Sequence, residues 1–165
     1  MTFSMTLDTT HRALTGIVLG IFVVALCVIP FAPAPGKVAL MVVIVGAALL
    51  SFAFAPLALE LTDTEIRVLR RLAPPVHLPL ATVRGIGEGP HSGSGPGLGF
   101  RVFGNGGFFG TYGLYWKKGL GIYRRYGTRL DASMLITRTA GWPIVVTPDD
   151  GALFRNAVLA KLPKS

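Results

Sequence analysis

At 165 residues, with 51% hydrophobic side chains, a mean hydropathy of +0.57 and a formal charge of +8, the chain is neither an ordinary water-soluble globule nor a disordered polyelectrolyte. Its single cysteine, Cys27, excludes an intrachain disulfide and a cysteine-rich metal centre, and fits a reducing compartment. The averages conceal two regimes: residues 13–59 carry Lys37 as their one charge, whereas residues 60–165 carry 14 Lys and Arg against 7 Asp and Glu.

Two apolar runs of 22 residues, 13–34 and 38–59, are separated by Pro35, Gly36 and Lys37. About 20 helical residues cross the ~30 Å hydrocarbon core of a bilayer, so residues 1–59 are predicted to form a transmembrane hairpin, with helices over about 13–33 and 38–59. A secretory signal is the rival reading of the first run, with Ala32-Pro33-Ala34 as a small-x-small cleavage pattern. A weak n-region holding Asp8 beside His11 and Arg12, a long apolar core, and Pro35 just past the cut all favour a retained helix. A buried core helix is the rival for the second run. Its length, with Ser51 as the one polar side chain, argues against that.

Pro30, Pro33, Pro35 and Gly36 break the backbone between the runs, and so short a turn returns the chain to the side it left. Lys37 stands alone at the turn, whereas Arg12, Arg67, Arg70 and Arg71 flank the other side, which predicts both flanks and the following domain to be cytoplasmic. Gly16 and Gly20 form a GxxxG step, a candidate helix-packing face. It is expected to meet Gly46, Ala47 and Ser51 of the second helix, with dimerisation as the alternative.

Residues 60–165 are predicted to form one small β domain. A strand from Leu57 runs straight off the second helix, turns at Thr62-Asp63-Thr64 and returns over residues 65–70, where Ile66 and Val68 alternate with charges. A third strand is expected over Val76–Ile86. Residues 85–113 hold 12 glycines, which predicts a flexible loop over 88–98, a short strand at 99–103 and a turn at Asn105-Gly106-Gly107. Further strands follow at 114–116, 120–130, 133–137 and 144–147. Thr147-Pro148-Asp149-Asp150 then offers a cap, a first-turn proline and two acids to a helix over about 148–162, with Leu153, Phe154, Ala157, Val158 and Leu162 as its apolar stripe. About seven strands and one helix suit an antiparallel sandwich or barrel with a helix over one opening.

The run Gly104 to Gly113, with Leu120-Gly121-Ile122-Tyr123, Tyr126-Gly127-Thr128, Pro148-Asp149-Asp150 and Phe154, resembles the bacterial pleckstrin-homology-like domain membrane proteins. The resemblance covers roughly residues 57–162. It implies an all-β PH-like antiparallel sandwich or partly open barrel with a C-terminal capping helix, in a protein of the bacterial inner membrane. It carries no catalytic residues, and the glycine-rich 87–97 segment departs from the family.

Catalytic, metal and cofactor sites are not expected. His11, His77 and His91 lack partners at ligand spacing, Asp149 and Asp150 read as helix caps rather than an acid–base pair, and Gly104–Gly107 lacks the Lys-Ser/Thr ending of a phosphate loop. The remaining candidate is a basic–aromatic patch of Trp116, Lys117, Lys118, Tyr123, Arg125 and Arg129, the last three read as alternating onto one strand face. Trp, Tyr, Lys and Arg in such a patch suit a membrane interface or an acidic partner; the alternative is that the aromatics pack the sheet and the charges only solvate its edge, which discourages edge pairing. The expected function is a non-enzymatic binding module for a protein segment or anionic lipid headgroups, with no nucleic-acid partner and a homo-oligomer left open. A scaffold subunit assembled through its hairpin is the alternative.

Overall fold

A computed structural model describes residues 1–31, 36–90 and 97–162. Pro33, Pro35, His91 and most of the glycine-rich loop therefore lie outside the described residues.

Two helices are long and apolar enough to cross a membrane, α1 (Thr9–Val28), extended by a 3-10 turn at Ile29–Phe31, and α2 (Lys37–Phe54). At 1.5 Å per residue they are about 30 and 27 Å long. Asp8 caps α1 by accepting the His11 backbone N–H at 2.7 Å, so the helix starts four residues before the apolar run. Gly36, at φ 89°, precedes α2, and Lys37 Nζ donates back to the Pro30 carbonyl at 2.9 Å. Helix α2 stops at Phe54, and Pro56 already belongs to a strand. The last residues of the second apolar run are thus extended because they turn into a sheet core, where Leu59 and Leu61 are sealed.

The rest is two mostly antiparallel sheets and a C-terminal helix. The first holds β1 (Thr2–Ser4), β2 (Pro56–Leu61), β3 (Glu65–Arg70) and β4 (Val76–Pro79) in that order. Strand β1 precedes the first helix and was not expected: three residues carry little pattern, yet Phe3 sits opposite Leu59 and its ring meets Phe154 edge-on at 5.1 Å. The β domain therefore includes residues on both sides of the helix pair.

The expected strand over 76–86 is two. A 3-10 turn at Leu80–Thr82 ends β4 after Pro79 and starts β5 (Val83–Glu88) in the second sheet. That sheet continues with β6 (Phe100–Gly107), β7 (Gly110–Lys117), β8 (Gly121–Gly127), β9 (Met134–Arg138) and β10 (Ile144–Val146), in the order β5-β9-β10-β8-β7-β6. Strands β8 and β10 run parallel, a departure from the all-antiparallel expectation. The sheets do not join into a closed barrel among the described residues.

Asn105-Gly106-Gly107 is strand rather than turn. The β6–β7 turn falls on Phe108 and Phe109, the latter at φ 60°. Gly104 faces Gly113 across the pair, and a Cβ on either would drive into the other strand's backbone. Glycine here serves close approach rather than bending.

Helix α3 (Gly151–Lys161) buries Phe154 and Val158 in the core between the sheets, with Leu59, Ile66, Val68, Ile136, Ile144 and Val146. Its cap is Asp150, which accepts the Leu153 N–H at 2.8 Å. Thr147, expected as the cap, instead accepts the Thr128 N–H at 2.8 Å, and Asp149 accepts from the Thr6 N–H and hydroxyl, both at 2.9 Å.

Candidate functional site

The turn of the β6–β7 ribbon packs against both helices. Phe108 meets Phe22 of α1 edge-on at 5.6 Å, and Phe109 meets Phe52 of α2 at 5.2 Å. Polar bonds fix the same junction. The Phe109 N–H donates to Thr15 Oγ1 at 3.0 Å, and the Tyr112 hydroxyl donates to the Ser51 carbonyl at 2.9 Å. Both groups sit where helix and strand leave polar atoms without regular partners. Ahead of α1, Asp8 accepts the Leu130 N–H at 2.9 Å and the His11 Nδ1–H at 2.8 Å. Burial works to raise the Asp8 carboxyl's pKa, but the His11 and Leu130 donors outweigh it and hold it below the ordinary value of 3.8.

Two arginines at the end of β3 turn toward α2. The Arg70 guanidinium lies 5.1 Å over the Phe54 ring, and Arg71 lies 5.0 Å over Phe52. Two cations and the Phe109 ring thus gather on Phe52 and Phe54 at the base of α2.

The second sheet separates the expected patch onto two faces. Tyr123 and Arg125 are fully buried, so neither belongs to an exposed basic–aromatic surface. They share a face with Tyr115 and Val145, roofed by the two described ends of the glycine-rich segment. The Tyr123 hydroxyl donates to the Leu98 carbonyl, and burial pushes its pKa up to about 12. Arg125 donates from Nε to Thr111 Oγ1 at 2.8 Å, from Nη2 to the Arg129 carbonyl at 2.7 Å and from Nη1 to the Pro90 carbonyl at 3.4 Å. Burial lowers its pKa. Tyr123 and Arg125 share one face of β8 while Arg129 lies outside the strand, and Pro90 and Leu98, which reach over that face, carry no periodic signal.

Arg129 lies beyond β8 and pairs with Asp131 at 2.7 Å, which raises its pKa. Lys117 donates from Nζ to the Gly97 carbonyl at 2.8 Å, and Lys118 is exposed in the following turn. Trp116, 48% exposed, is directly opposite Phe100, 72% exposed, and Ile122. These side chains project from the opposite face to Arg125, as directly paired residues do. Phe103, 75% exposed, joins the same row opposite Leu114. Phe100, Phe103 and Arg70 were missed. The Phe-Arg-Val-Phe run read as a short strand, and its place at the sheet edge follows only from the strand order.

Gly16 and Gly20 were expected to pack on the second helix. A Cβ at Gly16, Gly20 or Gly46 would meet no atom within 4 Å, so this face is open. Phe108 and Phe109 supply the contacts that bring helix and ribbon together. Among the described residues, no group of three His, Cys, Asp or Glu side chains could hold a metal ion. No family model, no curated protein and no solved structure matches the chain, and a functional reading therefore rests on its own residues.

Proposed function

We propose that the chain is a membrane-anchored, non-enzymatic binding module of pleckstrin-homology-like type. Helices α1 and α2 span the bacterial inner membrane, and the β domain stands at its cytoplasmic face. There it engages a protein segment or anionic lipid headgroups. The observation that carries this reading is the junction: the Phe108–Phe109 turn is packed on two helices that otherwise expose apolar surface along their length. A domain so seated on its anchor meets surface-bound partners at high effective concentration. Its exposed Trp116 and Lys118 suit the interfacial layer, where each cation is worth about 1 kcal/mol near anionic lipid.

The test uses the full chain in cells, with a photo-crosslinking side chain at Trp116 or Phe103. Adducts to lipid or to a specific protein are expected at both positions, while the chain resists alkaline extraction from the membrane. Extraction with the peripheral proteins would overturn the anchoring. A second reading, a scaffold subunit assembled through the helices, is favoured by the open glycine face. Replacing Gly16 and Gly20 with Ile should then dissociate a complex seen in mild detergent. Monomeric behaviour of both forms would exclude it.

A further inference from the structure

A groove of about 510 Å³ lies between the last turn of α2 and the β6–β7 ribbon. Leu50 and Phe54 form its helix wall, Phe103 and Tyr112 its ribbon wall, and Arg70 stands at its rim. We propose that this groove holds one anionic phospholipid, with its phosphate on Arg70 and the first part of an acyl chain along Leu50, Phe54 and Phe103. The proposal rests on the reading of α2 as a membrane span.

Four observations select this occupant. First, the groove sits where α2 ends and the chain turns into β2, the depth at which a spanning helix meets the headgroups. Second, its two walls differ from an ordinary protein surface. Leu50, Phe54 and Phe103 are all exposed large hydrophobics, and the wall they form is continuous with the bare side of α2. Third, the cation is held in place. Arg70 Nε donates to the Pro74 carbonyl at 2.7 Å, Nη2 donates to the same oxygen, and the guanidinium carbon lies 5.1 Å over the Phe54 ring. Nη1 has no hydrogen-bond partner among the described residues, and no carboxylate pairs with Arg70 there. A preorganised guanidinium above an apolar trough matches a phosphate ester with a hydrocarbon tail. Fourth, two of the polar side chains that line the groove are already used. The Tyr112 hydroxyl is bound to Ser51, and Asn105 Oδ1 accepts the Gly107 and Phe108 N–H groups at 3.2 Å. A peptide strand laid in the groove would find little polar material to satisfy its backbone.

The test places the full chain in nanodiscs of phosphatidylcholine mixed with phosphatidylglycerol and counts retained lipids by native mass spectrometry. Phosphatidylglycerol should be retained in preference to phosphatidylcholine. R70Q should reduce that preference roughly fivefold, the equivalent of one cation at an anionic surface. F103S should reduce retention of both lipids and leave the preference intact. Because Phe103 is exposed, this second variant keeps the proposal testable if R70Q disturbs the β3–β4 turn. Equal retention of the two lipids, a preference that R70Q does not move, or a retention that F103S does not reduce overturns the groove assignment while leaving the chain resistant to alkaline extraction. Extraction of the unmodified chain would overturn the membrane reading itself. Added glycerol phosphate should not displace the lipid; displacement would assign the site to a soluble phosphate ester and overturn the proposal.

Discussion

In β2 and β3 the inward side chains Leu59, Leu61, Ile66 and Val68 are sealed from solvent, whereas α2, continuous with β2 through Ala55, buries none of its 18 residues. Both segments are apolar, yet one has satisfied its surface within the chain and the other has not. The same contrast holds for glycine. Gly104 and Gly113 allow two backbones to meet, while Gly16, Gly20 and Gly46 face open space. Composition alone does not separate a core from a surface that needs a different solvent; the partner across the contact does.

The sharpest way to break this comparison is Gly104→Val. Its Cβ would collide with the Tyr112 carbonyl and Gly113 Cα, and the ribbon would lose its pairing where it reaches the helices. A loss of about 3 kcal/mol is expected, read as a lowered melting temperature of the full chain in detergent. Unchanged melting would show that the ribbon does not depend on the close approach.

Arg125→Leu tests the buried face of the same sheet. It removes the partner of the Arg129 and Pro90 carbonyls and of Thr111 Oγ1, the last two of these bonds being buried. A cost of about 3 kcal/mol is expected, much of it from polar groups left unpaired. If the Leu variant is as stable as the parent, the polar roof carries no net energy.

Phe109→Ala addresses the junction itself. It deletes the ring between Phe52 and Phe108 but keeps the N–H that donates to Thr15. About 1 kcal/mol should be lost. Spin labels on α1 and α2 should also report a broader spread of distances, whereas an unaltered distribution would mean that the turn does not set the helix geometry.

The smallest effect concerns pH. Asp8 and Asp149 are each partly buried, which works to raise their pKa values, but N–H and hydroxyl donors outweigh this and hold both below 3.8. A carboxylate with a depressed folded-state pKa contributes stability that is fully present above its unfolded value and is lost as pH falls through the folded value. Melting temperature should therefore be flat above about pH 5 as far as these groups act, and should fall progressively below pH 4. Asp8→Asn should flatten part of that decline; an identical acid limb would remove Asp8 from the account.

Much of the architecture was legible because its signals are local. Uninterrupted apolar length marks α1 and α2, period-two alternation marks Ile66 and Val68 in β3, and the Pro-Asp-Asp run announces α3. Local signals failed where a residue's role depends on what lies across from it. Asn105-Gly106-Gly107 looks like a turn, and only the facing Gly113 makes the glycines a strand contact. Phe3 looks like an unremarkable residue ahead of a helix until β2 and Phe154 close around it. The patch from Trp116 to Arg129 was legible as a set of residue types but not as a surface. Strand alternation states which side chains share a face, and only the tertiary positions of Pro90 and Leu98 decide which face is roofed.

By itself, the sequence determined the two apolar helices, a basic strand-rich region following them and an amphipathic final helix, because hydrophobic length and periodicity are properties of neighbouring residues. Only the tertiary structure decided that Arg125 is buried, that Phe103 and Trp116 are bare, and that Phe108 and Phe109 seat the β domain on both helices. Burial depends on contacts between residues as far apart as Phe22 and Phe108, and no window along the chain contains both.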